Sequence, residues 1–317
     1  MQIWAFRILK VVIVAGSIWY LYQRFQDISL QDYEGILLKK ESGLGFIRLV
    51  FLLLVLSLTS WISEALKWKL LFQIEFEQTV SRSLKVVLIS HVAGLISPFK
   101  AGEYGFRSYL VPKELGKFAL GRQWLNNLNL NFVKALVGGP AAIYFLTKIL
   151  DLNWNPAPYL LILWVLLLLL FIFLYKSFEG IFHVFIPLSW RLKGAAIPEG
   201  ARLDSSRMRI LSVLNLFRFM SYSIGNILIW CSLGLSCDYW LIFCLFQAIY
   251  LLALALPVLS LFDVVVKSSL VLVLSGPFGF DPGKVVLAVF VNWFFMTVIP
   301  MIFGLILLIK EPLNSRA

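Results

Sequence analysis

The sequence predicts an all-α polytopic membrane protein, and three observations predict it. Of 317 residues, 60% are hydrophobic and 14% are charged, with a mean hydropathy of +0.87. A soluble domain of this size needs a polar surface that such a composition cannot supply. Several runs reach or approach the roughly 20 apolar residues that cross a bilayer, the clearest being PYLLILWVLLLLLFIFLY, residues 158–175. These runs are continuous, whereas barrel strands alternate over about ten residues.

The elements follow in chain order. The first helix is expected over about 3–22. Arg7 and Lys10 precede VVIVAGSIWYLY, as in a signal peptide, but QRFQDISL follows instead of a small-residue cleavage site, so the helix is read as retained. Further spans are expected over about 45–72, 120–148, 157–175, 210–234 and 284–309, which makes about six. Residues 26–42 and 177–209 are polar connections, and RLKGAAIPEGARLDSSRMR within the second suits a basic cytoplasmic loop. Two apolar regions, about 82–110 and 240–275, are interrupted by Pro98 and Pro257 and read as re-entrant helical hairpins.

The halves match. Pro98 and Pro257 are 159 residues apart, and that shift carries each element of the first half close to one of the second. Each half reads helix, helix, hairpin, helix, in opposite orientations. The prediction is one integral membrane domain, 1–317, of two inverted-topology repeats, about 1–155 and 156–317. With the N-terminus inside, 19 basic residues fall on the inner side and 6 on the outer. That bias places both termini in the cytoplasm.

The hairpin tips carry the charges. SPFKAGEYGFRSYL holds Pro98, Gly102, Glu103 and Arg107; LPVLSLFDVVVKSSL holds Pro257, Asp263 and Lys267. In both, the acid precedes the base by four residues, so the two share a helical face. Irregular backbone at membrane depth needs protein or a polar cavity to solvate it. Each pair therefore suits two roles, lining a cavity or neutralising itself for burial. Lys134 lies mid-helix with Asn127, Asn131 and Gly138 in one stripe. Arg218 shares a face with Asn215 and Tyr222, and suits either headgroup binding or snorkelling. Asn292 lies in the last helix, where a hydrogen bond between helices accounts for it. His91, seven residues before Pro98, suits packing or proton coupling. Glu64 is expected at the membrane interface, pairing with Lys67 or Lys69, with Trp61 and Trp68 as belt anchors.

P-F-K-A-G-E-Y-G-F-R, residues 98–107, resembles the proline, glycine-glutamate and arginine signature of the transmembrane, flippase-like region of bacterial lysylphosphatidylglycerol synthases. The matching positions are Pro98, Gly102, Glu103 and Arg107. G-F-D-P at 279–282 and a long last helix with Pro300 and Gly304 fit as well, so the resemblance covers essentially the whole chain. It departs at VLSLFDVVVKSS, where the family's glycine-rich break and following glutamate are replaced by Asp263 and Lys267. The chain stops six residues after Glu311, so a stand-alone member without the aminoacyl-transferase domain is expected. The resemblance implies lipid handling, not lipid aminoacylation.

The expected function is therefore a lipid flippase of the bacterial cytoplasmic membrane. A polar headgroup, anionic or aminoacylated, would bind at Glu103, Arg107, Lys134, Arg218, Asp263 and Lys267. A small-solute transporter of the same architecture, or a non-transporting accessory subunit of envelope lipid or glycan assembly, are the alternatives. Membrane lipids are the expected partners, and a homo-oligomer and a separate lipid-modifying enzyme are compatible with the reading. The net charge of +11 is assigned to the inner membrane face, not to nucleic acid. H-E-x-x-H, G-x-S-x-G and G-x-x-x-x-G-K-[ST] are all missing. With them go the signals for an enzyme, and no metal or cofactor is expected. Cys231, Cys237 and Cys244 show no ligand spacing.

Overall fold

The computed structural model describes residues 19, 22–23, 43–72, 78–95, 97, 100–112, 116–150, 157–176, 205–235, 238–254 and 262–310. Among them there is no strand. The expected helix 3–22 lies outside the described residues except at two positions, and Pro98 and Pro257 lie outside them altogether. The remaining expected spans are helical. They are α1 (Gly43–Phe72), α4 (Gly116–Leu150), α5 (Ala157–Lys176), α6 (Ser205–Ser232) and a final helix from Pro282 to Lys310. Each interrupted region is a pair of helices: α2 (Val80–Leu95) with α3 (Ala101–Tyr109), and α7 (Tyr239–Leu254) with α8 (Asp263–Ser275). Among the described residues, three helices, Gly45–Phe72, Ala119–Ile149 and Pro282–Lys310, are long and apolar enough to cross a membrane.

The helix α1 is apolar outside and carries a polar face within. On α1, Phe46, Ile47, Phe51, Leu58 and Ile62 face outward. Ser57, Ser60, Trp61, Glu64, Lys67 and Trp68 recur at helical spacing and are all buried. The arrangement suits lipid, which solvates the apolar face and leaves the polar one to its neighbours. This corrects the reading of Glu64 as interfacial and of Trp61 and Trp68 as belt anchors. All three are turned into the protein, because α6 packs along that face of α1. Composition marks a tryptophan as amphipathic; only the neighbouring helix decides which way it points.

Local chemistry shapes the ends and turns. The stretch F-D-P-G starts the final helix: Asp281 Oδ1 accepts from the backbone N–H of Gly283 at 2.8 Å, and Pro282 occupies the first turn. That helix runs as α9 (Pro282–Trp293), a π segment (Phe294–Val298) and α10 (Ile299–Lys310). Side chains engage carbonyls of the wide turn. Ser57 Oγ donates to Phe295 at 2.8 Å, and Trp61 Nε1 donates to Met296 at 3.1 Å. Gly234, with φ 65°, ends α6 in the left-handed region.

Between α2 and α3, the left-handed residue is Lys100, with φ 57°. Gly102 lies inside α3 and is required there by close approach. A Cβ would overlap the Ala93 carbonyl and come within 2.8 Å of Ser97 Oγ. Ser97 Oγ also accepts from the Gly102 N–H at 2.7 Å. Packing then crosses between the halves: α1 lies on α6, α7 on α4, and α10 on α2.

Candidate functional site

The polar faces of α1, α3, α4 and α6 converge on Glu64. Its Oε1 accepts from Arg107 at 3.0 Å and from Asn126 at 3.2 Å. Its Oε2 pairs with Lys67 at 2.5 Å and with Arg218. Lys67 also donates to Asn215 at 2.6 Å, and Asn215 donates to Asn129 at 2.7 Å. Each charge thus meets an opposite charge or a hydrogen bond, the condition under which charges are tolerated away from water.

Arg107 is the most constrained member. It is 1% exposed and donates to Glu103 at 2.5 Å, Gln123 at 2.6 Å and Ser90 at 3.1 Å besides Glu64. Its guanidinium lies over Trp68, 5.3 Å from the ring centre. Glu103 is buried with it, against Gly94, where a Cβ would come 2.9 Å from Glu103 Cβ. Arg218 is held from the opposite side. It pairs with Glu64 and lies 5.1 Å over Trp61, but its side chain keeps 12% exposure. The ion pair, not snorkelling, accounts for its position.

A second cluster lies between α6, α7, α8 and α9. Lys267 donates to Asp263 at 2.5 Å and sits 5.2 Å over the Tyr250 ring. Asn226 donates to Tyr250 Oη at 2.6 Å, and Asn292 donates to Asn226 at 2.7 Å. Here the pair is open: Lys267 and Asp263 side chains are 25% and 38% exposed. Ser90, Glu103 and Arg107 become Tyr250, Asp263 and Lys267 when shifted by 160 residues. In both clusters the base touches the residue equivalent to Ser90 or Tyr250 on the preceding helix.

Lys134 belongs to neither cluster and lies between them. It feels the charges of Lys100, Lys267, Arg218 and Asp263. Among the described residues it has no carboxylate at ion-pair distance. In its expected stripe, Asn127 donates to Tyr104, and Gly138 makes room for Gln247. His91 is buried, 4.5 Å from the Trp61 ring, and its Nε2 has no hydrogen-bond partner among the described residues. No group of three or more His, Cys, Asp or Glu side chains among the described residues could hold a metal ion.

Of the expected site residues, the structure brings Glu103, Arg107 and Arg218 into one network and Asp263 with Lys267 into another. The expected pairing of Glu64 with Lys67 is present, but sequence reasoning missed Glu64 as the hub of the first network, and with it Gln123, Asn126 and Asn129. The signal was present. Gln123, Asn126 and Asn129 recur every three residues along an apolar helix, beside the stripe that was singled out. A comparison of the sequence with protein-family models gives no match, and a comparison with curated proteins gives none.

Proposed function

We infer that the chain is a lipid translocase of the bacterial cytoplasmic membrane, moving a polar headgroup between two re-entrant hairpins in two inverted repeats. One observation carries the reading. Lys134, at the middle of α4 and with no carboxylate at ion-pair distance among the described residues, feels the charges of three further bases, Lys100, Arg218 and Lys267, and of one acid, Asp263. An unpaired ammonium at mid-span costs at least about 2.5–3.5 kcal/mol on insertion scales. Such a residue needs a counter-ion, and an anionic headgroup supplies one. Arg107 and Glu103 serve this site as its rigid wall, because their own bonds leave Arg107 no free edge.

Three further features support the architecture. The helices α2, α3, α7 and α8 have 16, 9, 16 and 13 residues. At about 1.5 Å per residue, none spans the roughly 30 Å of hydrocarbon, as befits hairpins that turn back. The contact of α7 with α4 mirrors that of α2 with α10, and α1 meets α6 across the same division. The sequence resemblance to the flippase-like region agrees. Lys67, Arg107 and Arg122 are buried and do not mark a loop. Removing them leaves 16 inner bases against 6, so the orientation keeps its sign.

The test is reconstitution in liposomes with fluorescent phosphatidylglycerol or phosphatidylcholine, followed by quenching of the outer leaflet. Protein-dependent movement, reduced at least tenfold by Lys134→Gln, is expected. No movement of either lipid would sink the reading, and movement of a solute independent of lipid composition would replace it with a small-solute transporter.

A further inference from the structure

Two arginines share one carboxylate, and they are held unequally. In W-I-S-E-A-L-K-W, residues 61–68, the spacing puts Trp61, Glu64 and Trp68 on one face of α1. Arg107 lies between Glu64 and the Trp68 ring; Arg218 lies between Glu64 and the Trp61 ring. Arg107 comes from the first half of the chain, as does Glu64. Arg218 comes from the second.

The charge count decides which arginine can leave. Lys67, Arg107 and Arg218 are three bases, and Glu64 and Glu103 are two acids. Glu64 takes four donors on two oxygens. If Arg218 withdraws, Glu64 keeps Lys67, Arg107 and Asn126. Breaking a buried ion pair is ordinarily expensive because one charge stays behind uncompensated. Glu64 escapes that penalty, and Arg218 alone must find a new counter-ion. Arg107 has no such freedom, since leaving would also strand Glu103.

Arg218 has the means to leave. Its side chain is the more exposed of the two, and Lys134 feels its charge. A tetrahedral oxyanion accepts an arginine fork and an ammonium together.

We propose that the Glu64–Arg218 pair is an exchangeable latch between the two halves, released when a phosphate ester group takes the place of Glu64 as the counter-ion of Arg218 beside Lys134. This rests on the anion site read above and adds the step by which the protein senses occupancy. The latch joins α1 to α6, the most extensively packed pair of helices among the described residues. Its release loosens the contact along which one half moves against the other. By linkage, a protein without the latch binds the anion more tightly.

The experiment uses the full chain in phosphatidylcholine nanodiscs. Glycerol phosphate is titrated calorimetrically, and phosphatidylglycerol is scored in mixed nanodiscs by native mass spectrometry. Glu64→Gln is expected to tighten binding at least about fivefold, the low end of typical coupling between sites. Asp281→Asn removes an equal charge at the exposed start of α9, where asparagine keeps the helix cap, and is expected to change binding less than twofold. Equal effects of the two, or no tightening in Glu64→Gln, would overturn the latch. If Glu64→Gln does not fold, Glu64→Asp decides: its carboxylate is drawn back from Arg218 but keeps its charge, so tighter binding supports the latch and unchanged or weaker binding refutes it. Tightening for glycerol phosphate alone identifies a soluble anion as the ligand; tightening for phosphatidylglycerol identifies a lipid headgroup. Binding of neither probe to the unaltered chain defeats the anion site itself, and the latch with it.

Discussion

Arg107 and Lys267 occupy equivalent positions in two acid–base pairs of the same spacing, and the structure makes their removal unequal. Arg107→Ala strips Glu103 of its 2.5 Å partner while leaving the carboxylate buried, and removes one of four donors to Glu64. Removing one member of a buried pair costs about 3–5 kcal/mol. Lys267→Ala frees Asp263, whose side chain is 38% exposed and can be solvated where it stands. For such a pair the loss is about 0–1 kcal/mol. The assay is thermal unfolding of the detergent-solubilised chain, followed by tryptophan fluorescence, with monodispersity as a second measure. Arg107→Ala is expected to lower the midpoint strongly and Lys267→Ala hardly at all. The double variant Glu103→Gln with Arg107→Met is expected to recover part of the loss, because it leaves no orphan charge. Comparable losses for the two single variants, or a double variant no better than Arg107→Ala, would refute the reasoning from burial.

Other consequences are as direct. Gly304→Ala places a methyl group on the Leu88 carbonyl and 3.0 Å from Val92, so α10 must draw back from α2. The expected loss is about 1–3 kcal/mol, as for other overpacked contacts, while Gly276→Ala, which meets nothing within 4 Å, serves as the neutral control in the same unfolding assay. Trp61→Phe keeps an aromatic face for Arg218 but loses the hydrogen bond to the Met296 carbonyl in the π segment. Leaving that buried acceptor short of a donor is expected to cost about 1–3 kcal/mol, unless Tyr222, which donates to the same carbonyl at 3.3 Å, compensates fully. A double-mutant cycle with Tyr222→Phe measures the difference.

The helical membrane class was legible in composition and in the length of the apolar runs, because a bilayer rewards both without regard to partners. The two acid–base pairs and the Asp281-Pro282 helix start were legible too, since each depends on neighbours a few residues away. Spacing of four residues brings Glu103 to Arg107 and Asp263 to Lys267 in any helix. It says nothing of what covers them. Burial comes from other elements: α1 and α4 close over Arg107, while the Asp263–Lys267 pair stays partly open. Glu64 shows the same limit. Its sequence neighbours, two lysines and two tryptophans, suit a membrane interface. Its position among Arg107, Asn126 and Arg218 follows from helices 43, 62 and 154 residues away. Local chemistry sets where a helix starts, breaks and pairs with itself; which charges share a carboxylate is decided only when distant helices pack.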